Sequence, residues 1–132
     1  MNYQVNFISA MVAEKLNELI PGTPVENRVL ILSPDEIGKT TSGLIIPDTV
    51  KEGKPRKGVI IKVGNISEEY QNYKSLLQTG IIVEYGLYAG KEHQVNENIL
   101  DDSSLLKSIL EKNSLTVLDL NEISYIEPNN ID

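Results

Sequence analysis

The stretch "VENRVLIL", residues 25–32, decides how this chain is read. It follows a "PGTP" turn, opens on polar residues and continues as a β-branched and aliphatic run, which predicts a strand. On its N-terminal side the pattern is different. In "ISAMVAEKLNELI", residues 8–20, the side chains of Ile8, Met11, Val12, Leu16, Leu19 and Ile20 recur at helical spacing and make one apolar stripe. Ser9 is placed to cap that helix and Pro21-Gly22 to end it. The stripe is expected to pack on its own domain or on a neighbouring copy.

On the C-terminal side the strand pattern returns several times. "KGVIIKVG", residues 57–64, predicts a second strand, ended by Gly64-Asn65. Residues 67–79 have a helix-start signal at Ser67, Glu68 and Glu69 and read as helical or irregular. "GIIVEYGLYAG", residues 80–90, predicts a third strand interrupted by Gly86, and "KEHQV", residues 91–95, either continues it or begins the return. Leu105, Leu106, Ile109 and Leu110 sit at helical spacing in residues 101–112, with Asp101 and Asp102 suited to the start and Lys112 to the end. Residues 114–128 hold two last strand-like runs, split near Leu120 and Asn121, and the tail from residue 129 is expected to fray. The expected fold class is mainly β: a small barrel, closed or partly open, with an N-terminal helix and a second helix.

The composition excludes several functions. At 132 residues the chain predicts one domain with a core of its own. It has no Cys and one His, so a thiol nucleophile, a disulfide framework and a Cys/His zinc site are ruled out. A formal net charge of -7 disfavours general binding to nucleic acid or anionic membrane. The one basic cluster, Arg56 and Lys57 with Lys51 and Lys54, reads as a solvated loop. No window approaches the ~18 apolar residues of a membrane span, and no basic N-terminal region precedes an apolar run. Six Tyr, one Phe and no Trp are not interleaved with Lys or Arg as a single-strand nucleic-acid surface would be. No GxGxxG or GxxxxGK[ST] is present, His93 stands alone, and the paired carboxylates read as turns or helix starts. No catalytic residue, metal site or cofactor is therefore expected.

One segment resists this scheme. Between the first two strands, "GKTTSGLIIPDTVKEGKPRKG", residues 38–58, is polar and of a composition that resists regular structure, yet it carries Leu44, Ile45 and Ile46 between Gly43 and Pro47. One reading is a short buried strand. The other is a recognition segment that orders on docking to a partner groove. Burying each aliphatic side chain is worth ~1.5–3 kcal/mol, and ordering the backbone costs ~1–2 kcal/mol per residue. A single copy should therefore bind weakly, and several copies on one ring should bind well.

These residues resemble the GroES-type co-chaperonin family. "PVENRVLIL", residues 24–32, is similar to its opening Pro-Leu-x-Asp-Arg-Val strand, with Asn27 where Asp is usual. "SGLIIP", residues 42–47, resembles the apolar tripeptide of the family's mobile loop, and "KGVIIKVGN", residues 57–65, its Gly-x-Val-hydrophobic-x-Val-Gly strand. "TGIIVEYGLYAGKE", residues 79–92, and "LTVLDLNEISYIE", residues 115–127, resemble its Val-Gly-Asp-x-Val and Tyr-Gly-Gly-x-Glu run and its closing strands. The motifs stand in family order. Residues 1–22 form an extra N-terminal helical segment, residues 96–113 an insertion where the family has a tight turn, and residues 66–78 replace a roof hairpin. Such departures resemble a virus-encoded or specialised relative.

The resemblance implies a small GroES-like β-barrel, residues 23–128, with a mobile loop at 35–57, assembled as a homo-oligomeric ring of seven. The implied subunit contacts are Arg28, Val29, Leu30 and Ile31 on the first strand and Ile123, Tyr125 and Ile126 on the last. Gly43, Leu44, Ile45, Ile46 and Pro47 would bind a GroEL-type chaperonin, enclosing non-native client proteins. ATP would be bound by that partner and not by this chain, in a bacterial cytoplasm that includes a phage-infected host. The GroES-like domain of zinc-dependent alcohol dehydrogenases is the enzyme alternative, and the missing Cys ligands speak against it. The remaining alternative is a small β-barrel oligomeric binding or structural module without a chaperonin partner.

Overall fold

The computed structural model describes residues 8–34, 56–86, 88–100 and 104–129. Six strands form one antiparallel sheet: β1 (Arg28–Pro34), β2 (Arg56–Val63), β3 (Ile82–Tyr85), β4 (Lys91–His93), β5 (Asn113–Asp119) and β6 (Ile123–Glu127). Their spatial order is β4-β5-β1-β2-β3-β6. The barrel is thus partly open, with β4 and β6 at the two ends of the hydrogen-bonded order. Among the described residues, two helices, α1 (Ala10–Leu19) and α2 (Ser104–Lys112), and three 3-10 turns (Glu68–Tyr73, Glu97–Leu100 and Leu120–Glu122) accompany the sheet.

Both faces of the sheet are buried, and this explains why the strands read as continuous apolar runs rather than alternating ones. Successive residues point to opposite faces. Leu30, Leu32, Val59, Ile61, Ile82 and Leu115 face one way and pack with Ala13, Leu16 and Ile20 of α1 and Leu106 of α2. Val29, Ile31, Ile60, Val83, Tyr85 and Leu118 face the other way and pack with Ile66, Leu77 and Leu120. The two helices and the Glu97–Leu100 turn therefore clad one face of the sheet, and Ile66, Leu77 and Leu120 cover the other.

The α1 helix starts where the sequence indicated: the Val12 amide donates to Ser9 Oγ at 3.3 Å. Its buried stripe is Ala13, Leu16 and Ile20 with Val12 and Leu19 beside it, whereas Met11 is 80% exposed. Met11 lies about half a turn from that stripe, and Ala13 is fully buried. Lys62 on β2 donates to the Asn17 carbonyl at 2.9 Å and to Asn17 Oδ1 at 3.0 Å, tying the helix down. Gly80, at φ +99, makes room for its first turn, since a Cβ there would lie 2.7 Å from the Ala10 Cβ.

Boundaries differ from the sequence reading at two places. The third strand ends at Tyr85 instead of running to Gly90, and Lys91–His93 is the return strand, paired with β5. The register Lys91↔Val117, Glu92↔Thr116, His93↔Leu115 is that of a hairpin, so the intervening chain with α2 occupies the place of a turn. Asn129, expected to fray, donates to the carbonyls of Gly80 at 2.8 Å and Ile8 at 3.1 Å.

Candidate functional site

The apolar segment Gly43, Leu44, Ile45, Ile46 and Pro47 lies outside the described residues, but the mount that presents it is well defined. β1 ends at Pro34 and β2 begins at Arg56, and these strands are direct antiparallel neighbours, with Leu32 opposite Val59. Two strands so paired need a turn of two residues. Residues 35–55 instead leave and re-enter at one end of the sheet. On the β1 side Ser33 is 1% exposed and its hydroxyl donates to the Ser114 carbonyl at 3.4 Å.

On the β2 side Lys57 is held harder. Its ammonium donates to Glu127 Oε1 at 3.0 Å and Oε2 at 3.2 Å, and lies 3.7 Å from Glu84 Oε2. One cation thereby spans β2, β3 and β6 just after the segment returns. The hydrogen bond to Glu127 is the main cause that raises the Lys57 pKa above its ordinary 10.5; burial opposes it, and charge attraction from Glu127 and Glu84 adds to the rise.

The residues expected at a subunit contact are not all in one place. Val29, Leu30 and Ile31 are 0%, 2% and 0% exposed, and their strand is paired on both edges, to β2 and to β5. They are enclosed by their own chain and leave no free strand edge for a neighbour. Arg28 is nearer the surface, with its Nε 2.8 Å from Asp119 Oδ1, its partner in the register. Ile123, Tyr125 and Ile126 lie together on β6, whose outer edge has no strand paired to it among the described residues. They form one wall of an apolar groove of about 550 Å³ whose other wall is Tyr70, Tyr73 and Leu76. Tyr125 is 60% exposed, and Tyr73 and Leu76 are about half exposed.

The sequence does not connect this second wall with β6, because residues 67–79 read on their own as a helical or irregular segment. The signal was present: Tyr70, Tyr73 and Leu76 are spaced by three, the period that places side chains in line along a 3-10 turn. Elsewhere the described residues hold no group of three His, Cys, Asp or Glu that could bind a metal ion.

The Chaperonin 10 Kd subunit family model matches residues 21–108. The chain belongs to that family. Among its relatives, the co-chaperonin GroES of Bacteroides fragilis is 44% identical over 72 residues, covering 54% of this chain and 76% of the relative. That of Porphyromonas gingivalis is 45% identical over 69 residues, covering 52% and 73%. That of Streptomyces griseus is 40% identical over 76 residues, covering 55% and 72%. The family match begins after α1 and ends inside α2. The sheet nevertheless continues beyond it: β5 pairs with β1, and β6 with β3. The small GroES-like β-barrel is thus present, with β5 and β6 lying beyond the matched residues.

Proposed function

We propose that this chain is a co-chaperonin, a binding lid for a GroEL-type chaperonin ring and not an enzyme. The observation that carries this reading is the mount: residues 35–55, with Leu44, Ile45 and Ile46 at their centre, stand between two strands that a two-residue turn would join. A long apolar-centred connection at such a place is a recognition device rather than a structural need. The aliphatic tripeptide docks into an apolar groove of the partner, Gly43 lets the chain turn, and Pro47 limits its freedom beforehand. Each contact is weak, so the chain acts as a homo-oligomeric ring, seven copies in the family's manner, whose loops bind together. Tyr125 and the Arg28–Asp119 pair lie at the surface where a neighbouring copy would meet it. ATP is bound by the partner, and the enclosed ligand is a non-native protein in the bacterial cytoplasm.

Ile45→Asp tests the assignment. Native co-migration with a GroEL-type ring and ATP should be lost in the variant, while its own oligomeric state by native mass spectrometry is unchanged. Capture at the unaltered level would overturn the role of the tripeptide.

A further inference from the structure

The two helices leave an apolar groove of about 540 Å³ between them, lined by Met11, Val12 and Leu19 of α1, by Leu105 and Leu106 of α2, and by Leu100. Leu100 and Leu106 are buried, whereas Met11 is 80% and Leu105 60% exposed. A flexible thioether and a large aliphatic side chain, both turned to water at one groove, make a contact surface rather than a finished core. The rim is charged. Glu14, Lys15 and Glu18 of α1 line the groove, and all three are exposed. Among the described residues none of the three forms an ion pair. Glu14 and Glu18 stand one turn apart, where like charges repel and weaken the helix that carries them.

We propose that a second copy of this chain covers the groove, each copy laying its α1–α2 face on the other's about a two-fold axis. The charges of the rim select this occupant. Two negative groups with one positive between them suit neither a uniformly acidic nor a uniformly basic partner. A second copy turned about a two-fold axis brings the same signs in the reverse sense, so that Lys15 of each copy meets the Glu14–Glu18 turn of the other and the pairing is made twice. The chain carries a net charge of -7, which opposes self-contact by charge alone. The apolar groove therefore supplies the attraction, and the rim fixes register and partner. The α1 wall lies wholly before residue 21, where the family match begins, so the contact is an addition of this chain's own. The groove shares no residue with β6 or with the Arg28–Asp119 pair, and both contacts can form together.

The inference goes beyond the co-chaperonin reading and needs no chaperonin; only the number seven below rests on the ring. One pair of grooves is a weak contact, but a ring presents seven at once, and isologous contacts close by joining two rings face to face. Native mass spectrometry of the full chain over about a hundredfold range of concentration should show a doubled species that grows at the expense of the single one. Lys15→Glu makes the rim wholly acidic and should raise the dissociation constant of the doubled species by about tenfold or more. Glu14→Lys with Glu18→Lys makes it wholly basic and should do the same. Mixing these two variants should restore doubling as a mixed species, which damage to the fold could not do. A wild-type chain that never doubles, doubling that Lys15→Glu leaves unchanged, or a mixture that stays single would each overturn the proposal. The same spectra test the ring by itself. Seven-subunit species without fourteen-subunit ones would defeat this inference alone, and monomers and dimers without seven-subunit species would defeat the ring alone.

Discussion

Asn27 shows how much one residue at a strand entrance can settle. It sits at φ 60, a left-handed conformation that asparagine tolerates better than most residues. From there its amide donates to the Asn65 carbonyl at 2.8 Å, its Oδ1 accepts from the Ser67 amide at 2.9 Å, and its carbonyl accepts from the Leu120 amide at 2.9 Å. Three separate segments are thus joined at the start of β1, and the sequence marked the position without revealing those partners, all of them distant along the chain. Lys57 does the same work at the start of β2 by charge. Its pKa is raised on folding, so the stability it contributes is fully present below the unfolded value of about 10.4 and is lost as the pH rises through the higher folded value. With the lysine side chain 38% exposed the pair is partly screened, so Lys57→Met should cost less than about 1 kcal/mol at neutral pH. Urea melts of both proteins should differ by a constant amount up to about pH 10 and converge at higher pH. A difference that persisted at alkaline pH would show that Lys57 acts through the packing of its stem.

At the scale of elements, helical periodicity located both helices and drew each apolar stripe one residue too wide, with Met11 and Leu105 left outside the core. A run such as "SLLKSILEK" offers two adjacent leucines, and the stripe can be drawn through either. The structure chooses Leu106, 4% exposed and packed with Leu16 and Leu100, and leaves Leu105 60% exposed. Which of two neighbours faces inward depends on where the helix lands on the sheet, and that is set by β5 and the Glu97–Leu100 turn rather than by the helix itself. Leu106→Ala should therefore cost about 2–4 kcal/mol, and Leu105→Ala less than about 1 kcal/mol. Urea denaturation at constant m-value reads both. Equal costs would mean that α2 turns a different face to the core. The strands were more legible than the helices, because β-branched runs closed by glycine admit few readings, and all six lie within two or three residues of where the sequence put them except the third, cut short at Tyr85. The groove was not legible at all as a groove: its walls come from Tyr70–Leu76 and Ile123–Ile126, which no local pattern connects.

For the molecule as a whole, the division between what folds and what binds can be tested directly. Among the described residues, the apolar side chains of β1 and β2 are buried on both faces of the sheet. Residues 35–55 were legible from composition alone, as an apolar centre in polar surroundings. Joining Pro34 to Arg56 through an Asn-Gly turn in place of residues 35–55 should then leave the barrel intact. Shortening the connection recovers up to about 2 kcal/mol of loop-closure entropy, so the melting temperature should hold or rise. The same variant should lose co-migration with a GroEL-type ring as completely as Ile45→Asp, because a point change and a full excision remove the same contact. A variant that melts lower and less cooperatively would instead place Leu44, Ile45 and Ile46 in the core as a buried strand, and would do so whatever the chaperonin assay reads.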